Sequence, residues 1–416
     1  MKAERIILGE NACFSSDCED TQLNNNIIVC GSSGSGKTMS IAEPRLLETF
    51  HSSLIVTVTK RRLVKKYAKV FKERGYEVLD LNFAEPEASQ ISFDPLHYIS
   101  SYEDITFLAN SIVNATKRRE QSNADPFWDQ GAVSLLSAEI AYVLMRHGAK
   151  ATFADVLKLH TRLDFNGEAE IRTSLDNELN HISSESFAAG CWRSFRNLPR
   201  RTASCLFTTL NVTIDTVFTP SIRDMISKKK TVDFERLATK KTVLFVSTSA
   251  TNPSLNTLVN LFYASAFKEL FELAECMPDG KLPVAVNMLM DDFASGGRIT
   301  NFPEYISVFR EKGISVELLI QSESQLESMY DKDNTSTILN CCDTYVYLGG
   351  MDLATGRNIS ERLNLPLEEV LYMPVGQVVV FRRGQKPIVT KRYDVLNDKE
   401  YKRITKEYED STVLTR

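Results

Sequence analysis

Ile27 to Thr38 reads IIVCGSSGSGKT. Ile27, Ile28 and Val29 form an apolar, β-branched run of the kind a strand buried on both faces requires, and Gly31 to Thr38 follow as G-x-x-x-x-G-K-[ST]. The residues behind Thr38 suit a helix. Strand, glycine-rich turn and helix together make a phosphate-binding loop, whereas a Gly/Ser connector matching by chance would lack the flanking elements. Gly31, Gly34 and Gly36 leave no side chain in the way and tolerate positive φ, so backbone N–H groups can turn inward around a phosphate. The nucleotide-binding set is Gly31, Ser32, Ser33, Gly34, Ser35, Gly36, Lys37 and Thr38. Lys37 brings a point charge to the β- and γ-phosphates, and the Thr38 hydroxyl is a hard oxygen suited to Mg²⁺. The positive end of the following helix faces the same anion.

Outward from this loop, the flanking sequence alternates. A short strand around Ile6 to Leu8 leads into a polar loop, Thr38 to Phe50 reads as a helix that Pro44 kinks or ends, and Leu54 to Thr59 is a second buried strand. Lys60 to Arg74 is an amphipathic, basic helix with Leu63, Tyr67, Val70 and Phe71 on one side, and Tyr76 to Leu81 is the next strand. Strands separated by helices predict an α/β fold with a mostly parallel central sheet. The alternation then stops. From about Tyr102 to Arg236 the pattern is helical, over Ile105 to Ala115, Phe127 to Arg146, Phe153 to Leu159, Ala169 to Asn180 and Thr202 to Phe218, with an NLPRR turn at Asn197 to Arg201. It resumes with a strand at Thr242 to Ser247, a helix from Leu255 to Cys276 and a strand at Val284 to Met290. The expected organisation is a nucleotide-binding domain in two parts, 1–100 and 237–393, an inserted all-α domain at 101–236 and a C-terminal tail at 394–416 that is helical or frayed.

Composition sets outer bounds. With 416 residues, 43% hydrophobic and 25% charged, the chain is long enough for a full core and two packed units. No apolar run approaches the ~18 residues of a membrane span, and the N-terminus lacks a secretory apolar region. Eight cysteines without C-x-x-C pairs favour reduced thiols over a metal site or a disulfide framework, and so a cytoplasmic protein, peripheral to a membrane only through partners. A net charge of −5 gives no global nucleic-acid signature, so any such binding falls to local patches or a ring-shaped assembly.

The strand ending at Met290 runs into Asp291 and Asp292. Apolar residues leading to an acidic pair fit a Walker B element, in which Asp291 holds Mg²⁺ and Asp292 polarises the attacking water; a two-acid turn at a strand end is the plainer alternative. One strand later, Ser315 to Ile320 leads to Gln321, placed either to sense a γ-phosphate or to cap the strand. Arg310, at a helix end in FREKG, is either a solvated, dipole-favoured charge or a finger that reaches a neighbouring subunit's nucleotide.

More than 250 residues separate Lys37 from Asp291, and the excess is helical. Together with FDPL at Phe93 to Leu96, the segments DPFWDQGAVSLLSAEIAYVL (Asp125 to Leu144), LMDDFASGG (Leu289 to Gly297), FREKGISVELLIQSESQLESMY (Phe309 to Tyr330) and ILNCCDTYVYLGGMD (Ile338 to Asp352) resemble the type IV secretion coupling proteins. These are the TraG/TraD-type conjugative DNA-transfer ATPases, within the FtsK/HerA group of ring motors, and the likeness covers roughly residues 24–390. The resemblance implies a RecA-like P-loop NTPase fold, ATP and Mg²⁺ as ligands, and ATP hydrolysis. It implies Lys37 and Thr38 on nucleotide and metal, Asp291 and Asp292 as the acidic pair, Gln321 as sensor and Arg310 as a finger acting in trans.

The resemblance also implies partners: single-stranded DNA held without sequence preference, a relaxase, channel components and a homo-hexameric active state, with the isolated chain a monomer. Three features depart from the family pattern. Members usually begin with membrane-spanning helices, so this chain is expected to be a soluble form, a partner-anchored subunit or a shortened one. Asp292 stands where Glu is usual, and Thr57-Val58-Thr59-Lys60 where Asp-Pro-Lys is. Candidate DNA contacts are Lys228 to Lys230, the basic helix from Lys60, and Arg193, Arg196, Arg200 and Arg201 beside Trp192 and Phe195. Two other readings stay open: a nucleotide-binding platform that recruits relaxase or effectors without translocating, and an FtsK/HerA-type translocase outside conjugation.

Overall fold

A computed structural model of the chain describes residues 4–114, 126–163, 179, 185–249, 252, 254–293 and 298–413. The leading segment folds as a hairpin, β1 (Arg5–Gly9) on β2 (Ala12–Ser15), where a strand and a loop were expected. The phosphate-loop strand β3 is Ile27–Cys30. It is followed by β4 (Ser53–Val58), β5 (Glu77–Asn82), β6 (Thr242–Ser247), β7 (Val286–Met290), β8 (Ile314–Ile320), β9 (Thr344–Tyr347), β10 (Gln377–Arg382) and β11 (Ile388–Lys391).

These nine form one sheet in the order β11-β10-β9-β3-β8-β7-β4-β6-β5. Every pairing from β9 to β5 is parallel, because helical crossovers return each strand in the same direction. The tight turn after β10 instead makes β10 and β11 an antiparallel hairpin, with Gly384 at φ 74°. The class is the expected one: α/β, mostly parallel, flanked by helices.

Strand residues alternate between two cores although nearly all are buried. Ile28, Ile55, Leu244 and Val246 face one core, and Ile27, Val29, Leu54, Val56, Val243 and Phe245 face the other. The first core continues without a break into the helices between β5 and β6. These are Tyr102–Asn114, Pro126–His147, Phe153–His160, Phe187–Arg196, Arg200–Val217, Pro220–Lys228 and Phe234–Thr239. Since β5 and β6 are neighbours, the helical segment leaves and re-enters the sheet at a single place. The NLPRR turn separates two of its helices, with Pro199 fixing the start of the second. Of the helix expected at Ala169 to Asn180, all but Leu179 lies outside the described residues.

Two joints tie the helices to the sheet. Asp94, at the start of FDPL, accepts N–H bonds from Leu96 at 2.9 Å and Phe153 at 3.1 Å. Lys268 pairs with Asp104 at 2.9 Å, both side chains being about nine-tenths buried.

The helix that Pro44 was expected to kink or end runs on through that proline to Glu48. The first turn behind the loop, Thr38–Ala42, adopts the wider π spacing, with Glu43 N–H donating to Thr38 O, before a regular helix over Glu43–Glu48. The tail is a helix, Lys399–Val413, packed on the basic helix Arg61–Glu73: Lys69 pairs with Glu407 at 2.6 Å, and Arg403 with Glu73 at 3.2 Å. Among the described residues no helix is long and apolar enough to cross a membrane.

Candidate active site

The phosphate loop closes on its neighbours through backbone bonds. Gly31 N–H donates to Ile320 O at 3.2 Å, and Ser32 N–H to Gly349 O at 3.0 Å. A side chain at Gly31 would meet Ser35 Oγ at 2.6 Å and Leu348 Cβ at 2.9 Å, so the first glycine serves close packing. Gly34 and Gly36, at φ 75° and 90°, serve the turn itself. The Lys37 ammonium folds back over the loop and donates to Gly31 O at 2.6 Å and Ser32 O at 3.3 Å. Burial pulls its pKa down, and the charges of Asp292 and Asp291 resist that pull.

Strand β8 lies between β3 and β7, with Cys30 opposite Ile320 and Met290 opposite Leu318. The carboxyl ends of three strands therefore meet at one edge. There the Thr38 hydroxyl donates to Asp291 Oδ2 at 3.4 Å, and the Asp291 Oδ1 accepts Asp292 N–H at 3.2 Å. Burial and the Asp292 charge raise the Asp291 pKa, against opposition from Lys37 and Thr38. Asp292 sits at φ 53°, a left-handed turn that Asp tolerates better than most residues. Gln321, just past β8, lines one cleft with Asp291, Asp292, Thr57, Thr59 and Tyr263. Residues 294–297 of the LMDDFASGG segment lie outside the described residues.

Two connections around this edge escape a reading of the sequence. Thr57 and Tyr263 share a buried hydroxyl–hydroxyl bond of 2.6 Å at the cleft wall, joining the turn where the family pattern fails to the helix Ser254–Glu275. The second starts at the end of β8. Ser324 donates to Asp352 Oδ2 at 2.8 Å, Asp352 caps the helix Leu353–Leu363 through Thr355 N–H at 2.9 Å, and Glu323 N–H donates to Thr355 Oγ1 at 3.0 Å. Since Gly349 O holds Ser32, this network links the Gln321 strand end to the phosphate loop by way of GG-x-D. These residues lie in two of the segments that carry the family resemblance, but their partners were not legible.

Arg310 lies elsewhere. It is exposed in the last turn of Phe302–Lys312, ahead of β8, and its charge acts on Cys18. The seven residues of β8 put about 20 Å between that edge and the phosphate loop, beyond the reach of an arginine side chain. Several candidate DNA contacts are committed to the fold. Lys229 donates to the carbonyls of Pro86, Glu87 and Ser89, Lys66 pairs with Glu43 at 3.0 Å, and Arg61 makes a two-pronged contact with Asp80 at 2.7 and 2.6 Å. Trp192 and Phe195, beside the candidate arginine cluster, are buried in the helical core.

A mostly parallel sheet with a glycine loop behind one strand, an acidic pair behind another and an added strand between them defines a P-loop protein of the RecA-like class. The chain belongs to the type IV secretory system conjugative DNA transfer family, whose model matches residues 5–365. Among solved structures it is similar to the unbound monoclinic form of the bacterial conjugative coupling protein TrwBdeltaN70, at TM-score 0.69 and 16% identity, covering 94% of this chain and 89% of that one. TrwB in complex with ADP and Mg²⁺ superposes at TM-score 0.66 and 15% identity, over 89% and 85%. VirB4 of Thermoanaerobacter pseudethanolicus superposes at TM-score 0.60 and 12% identity, over 94% and 96%. No curated protein matches the chain.

Proposed function

We propose that the chain is an ATP-hydrolysing motor that moves DNA, as a relaxase-bound single strand, toward a type IV secretion channel. It works on the cytoplasmic side of the membrane, held there by partners, as a homo-hexamer assembled from monomers. The observation that carries this reading is the meeting of Lys37, Thr38, Asp291, Asp292 and Gln321 at one sheet edge. Family membership supports it, as do the ADPNP and ADP–Mg²⁺ complexes of TrwB.

The residues present fit ATP and Mg²⁺. Thr38 Oγ1 and Asp291 Oδ2 are hard oxygens 3.4 Å apart, close to the ~3 Å between neighbouring ligands of an octahedral Mg²⁺. When bound, the ion neutralises charge on the β- and γ-phosphate oxygens. With nucleotide bound, Lys37 would give up its two loop carbonyls for phosphate oxygens that the loop N–H groups would also hold. Asp292 orients the attacking water and takes up its proton. Gln321 reads the γ-phosphate, and the Ser324–Asp352–Thr355 network passes loss of that contact to the loop at Gly349. Arg310, too far from its own site, stabilises the transferring phosphoryl group of a neighbouring subunit.

Single-turnover phosphate release with and without single-stranded DNA tests the proposal. A motor gives DNA-stimulated release that vanishes in Lys37→Ala. A chain that holds ADP but shows no DNA-stimulated step is a docking platform, and the motor reading falls.

A further inference from the structure

Strand β10 runs against β9 and β11 against β10, so β11 points the same way as β3 and ends at the edge that carries the phosphate loop. Arg392 is the next residue. Its N–H donates to Gly376 O at 2.8 Å, which fixes its backbone at that edge. The guanidinium reaches the loop: a Cβ built on Gly36 would lie 2.9 Å from Arg392 Nη1. Glycine is required at 36 by its φ of 90°, whereas the guanidinium, the far end of a flexible side chain, could swing away from a Cβ there.

Arg392 shares with Arg382 a buried Nε without a hydrogen-bond partner, but lacks even the Asp343 charge that acts on Arg382. Arg5, Arg61 and Arg403 each meet a carboxylate at 2.9 Å or less. Arg392 Nε is buried without a hydrogen-bond partner, and burial pulls its pKa down with no nearby carboxylate to offset it among the described residues. A half-buried guanidinium without an acceptor is costly, and its planar fork of donors matches phosphate oxygens. The built anion cradle beside it is the phosphate loop.

We propose that Arg392 is a second phosphate-binding cation of the site, acting in the same chain and contacting the bound nucleotide's phosphates from the β11 side. This rests on the phosphate-loop reading. The contact also ties the C-terminal segment to the nucleotide. Tyr393, next in the chain, donates to Asp398 at 3.0 Å, Asp398 caps the start of the tail helix, and Tyr401 of that helix sits on Met39 and under the Lys66 ammonium, 3.3 Å from the ring centre.

The test titrates the full chain with a fluorescent ADP analogue, using ADP and adenosine as competitors. Arg392→Met is expected to weaken ADP by about 10- to 100-fold, the loss typical of a charge-assisted contact, and to leave adenosine unchanged. Arg392→Lys recovers part of the loss, and ADP protects amides 386–396 from hydrogen exchange in the unchanged chain but not in Arg392→Met. An ADP-to-adenosine affinity ratio that is unaltered in Arg392→Met overturns the proposal. If that variant fails to fold, an unaltered ratio in Arg392→Lys together with unprotected amides 386–396 in the unchanged chain does so. ADP binding that is lost in Lys37→Ala shows the loop reading standing by itself; an unchanged chain that binds no ADP overturns both.

Discussion

Thr38 Oγ1 and Asp291 Oδ2 lie 3.4 Å apart across 253 residues of sequence. A hydroxyl behind one strand and a carboxylate behind another meet because β8 alone separates β3 from β7 and all three run the same way.

Removing a charged group from either strand end should stop turnover. Lys37→Ala and Asp291→Asn are each expected to lower ATP hydrolysis by about 100-fold or more, as phosphate release in excess ATP would measure. Circular dichroism melts of Asp291→Asn should not fall and should shift upward, because Asp291 is held in the folded chain at a cost from burial and from its charged neighbour.

The position of Arg310 predicts complementation. Arg310→Ala and Lys37→Ala proteins are each expected to be inactive alone, yet their equimolar mixture should regain a measurable fraction of the unchanged chain's activity. Some interfaces would then join an intact Lys37 to an intact Arg310. Full activity of Arg310→Ala by itself returns the residue to a solvated charge at a helix end.

Arg45 and Glu317 form an ion pair at 2.6 Å, both side chains about 2% exposed, and the guanidinium nitrogens lack hydrogen-bond geometry. Arg45→Met alone leaves a buried, uncompensated carboxylate and is expected to cost about 3–5 kcal/mol in urea unfolding. The double replacement Arg45→Met, Glu317→Leu should recover most of that loss, since two apolar side chains remove the penalty with the pair.

Asp94 carries a pH signature. Burial pushes its carboxyl from 3.8 up to about 6, against the N–H bonds from Leu96 and Phe153. A carboxyl raised in the folded state contributes stability that is complete below the unfolded value and is lost as pH rises through about 6. Relative to the unchanged chain, Asp94→Asn should therefore gain stability between pH 5 and pH 7.5, by roughly 1–1.5 kcal/mol. Thermal melts at the two pH values check this; a difference that is flat with pH would mean the carboxylate is ionised throughout.

Local signals located half of the site. The glycine loop, the acidic pair and Gln321 each sit where a buried strand ends, and burial leaves an apolar, β-branched run that can be read directly from the sequence. The hairpin β10–β11 and the tail helix were less visible, because an edge hairpin alternates weakly and the helix Lys399–Val413 is mostly polar, with a short apolar face at Tyr401 and Ile404 supplemented by ion pairs. Nor did the sequence tell a basic patch on offer to DNA from one neutralised within the fold: Lys66, Lys229 and Arg61 look like solvated cations until Glu43, three loop carbonyls and Asp80 are placed beside them.

The class of fold, the phosphate loop and the residues able to serve it were legible along the chain, because those depend on neighbours a few positions away. Which of them share a site was set by how the strands pack. That packing brought Asp291 to Thr38, sent Arg310 to the far edge and laid Arg392 on Gly36. The order of strands in a sheet is set by how crossovers pack across two cores, and no local pattern in the chain encodes it.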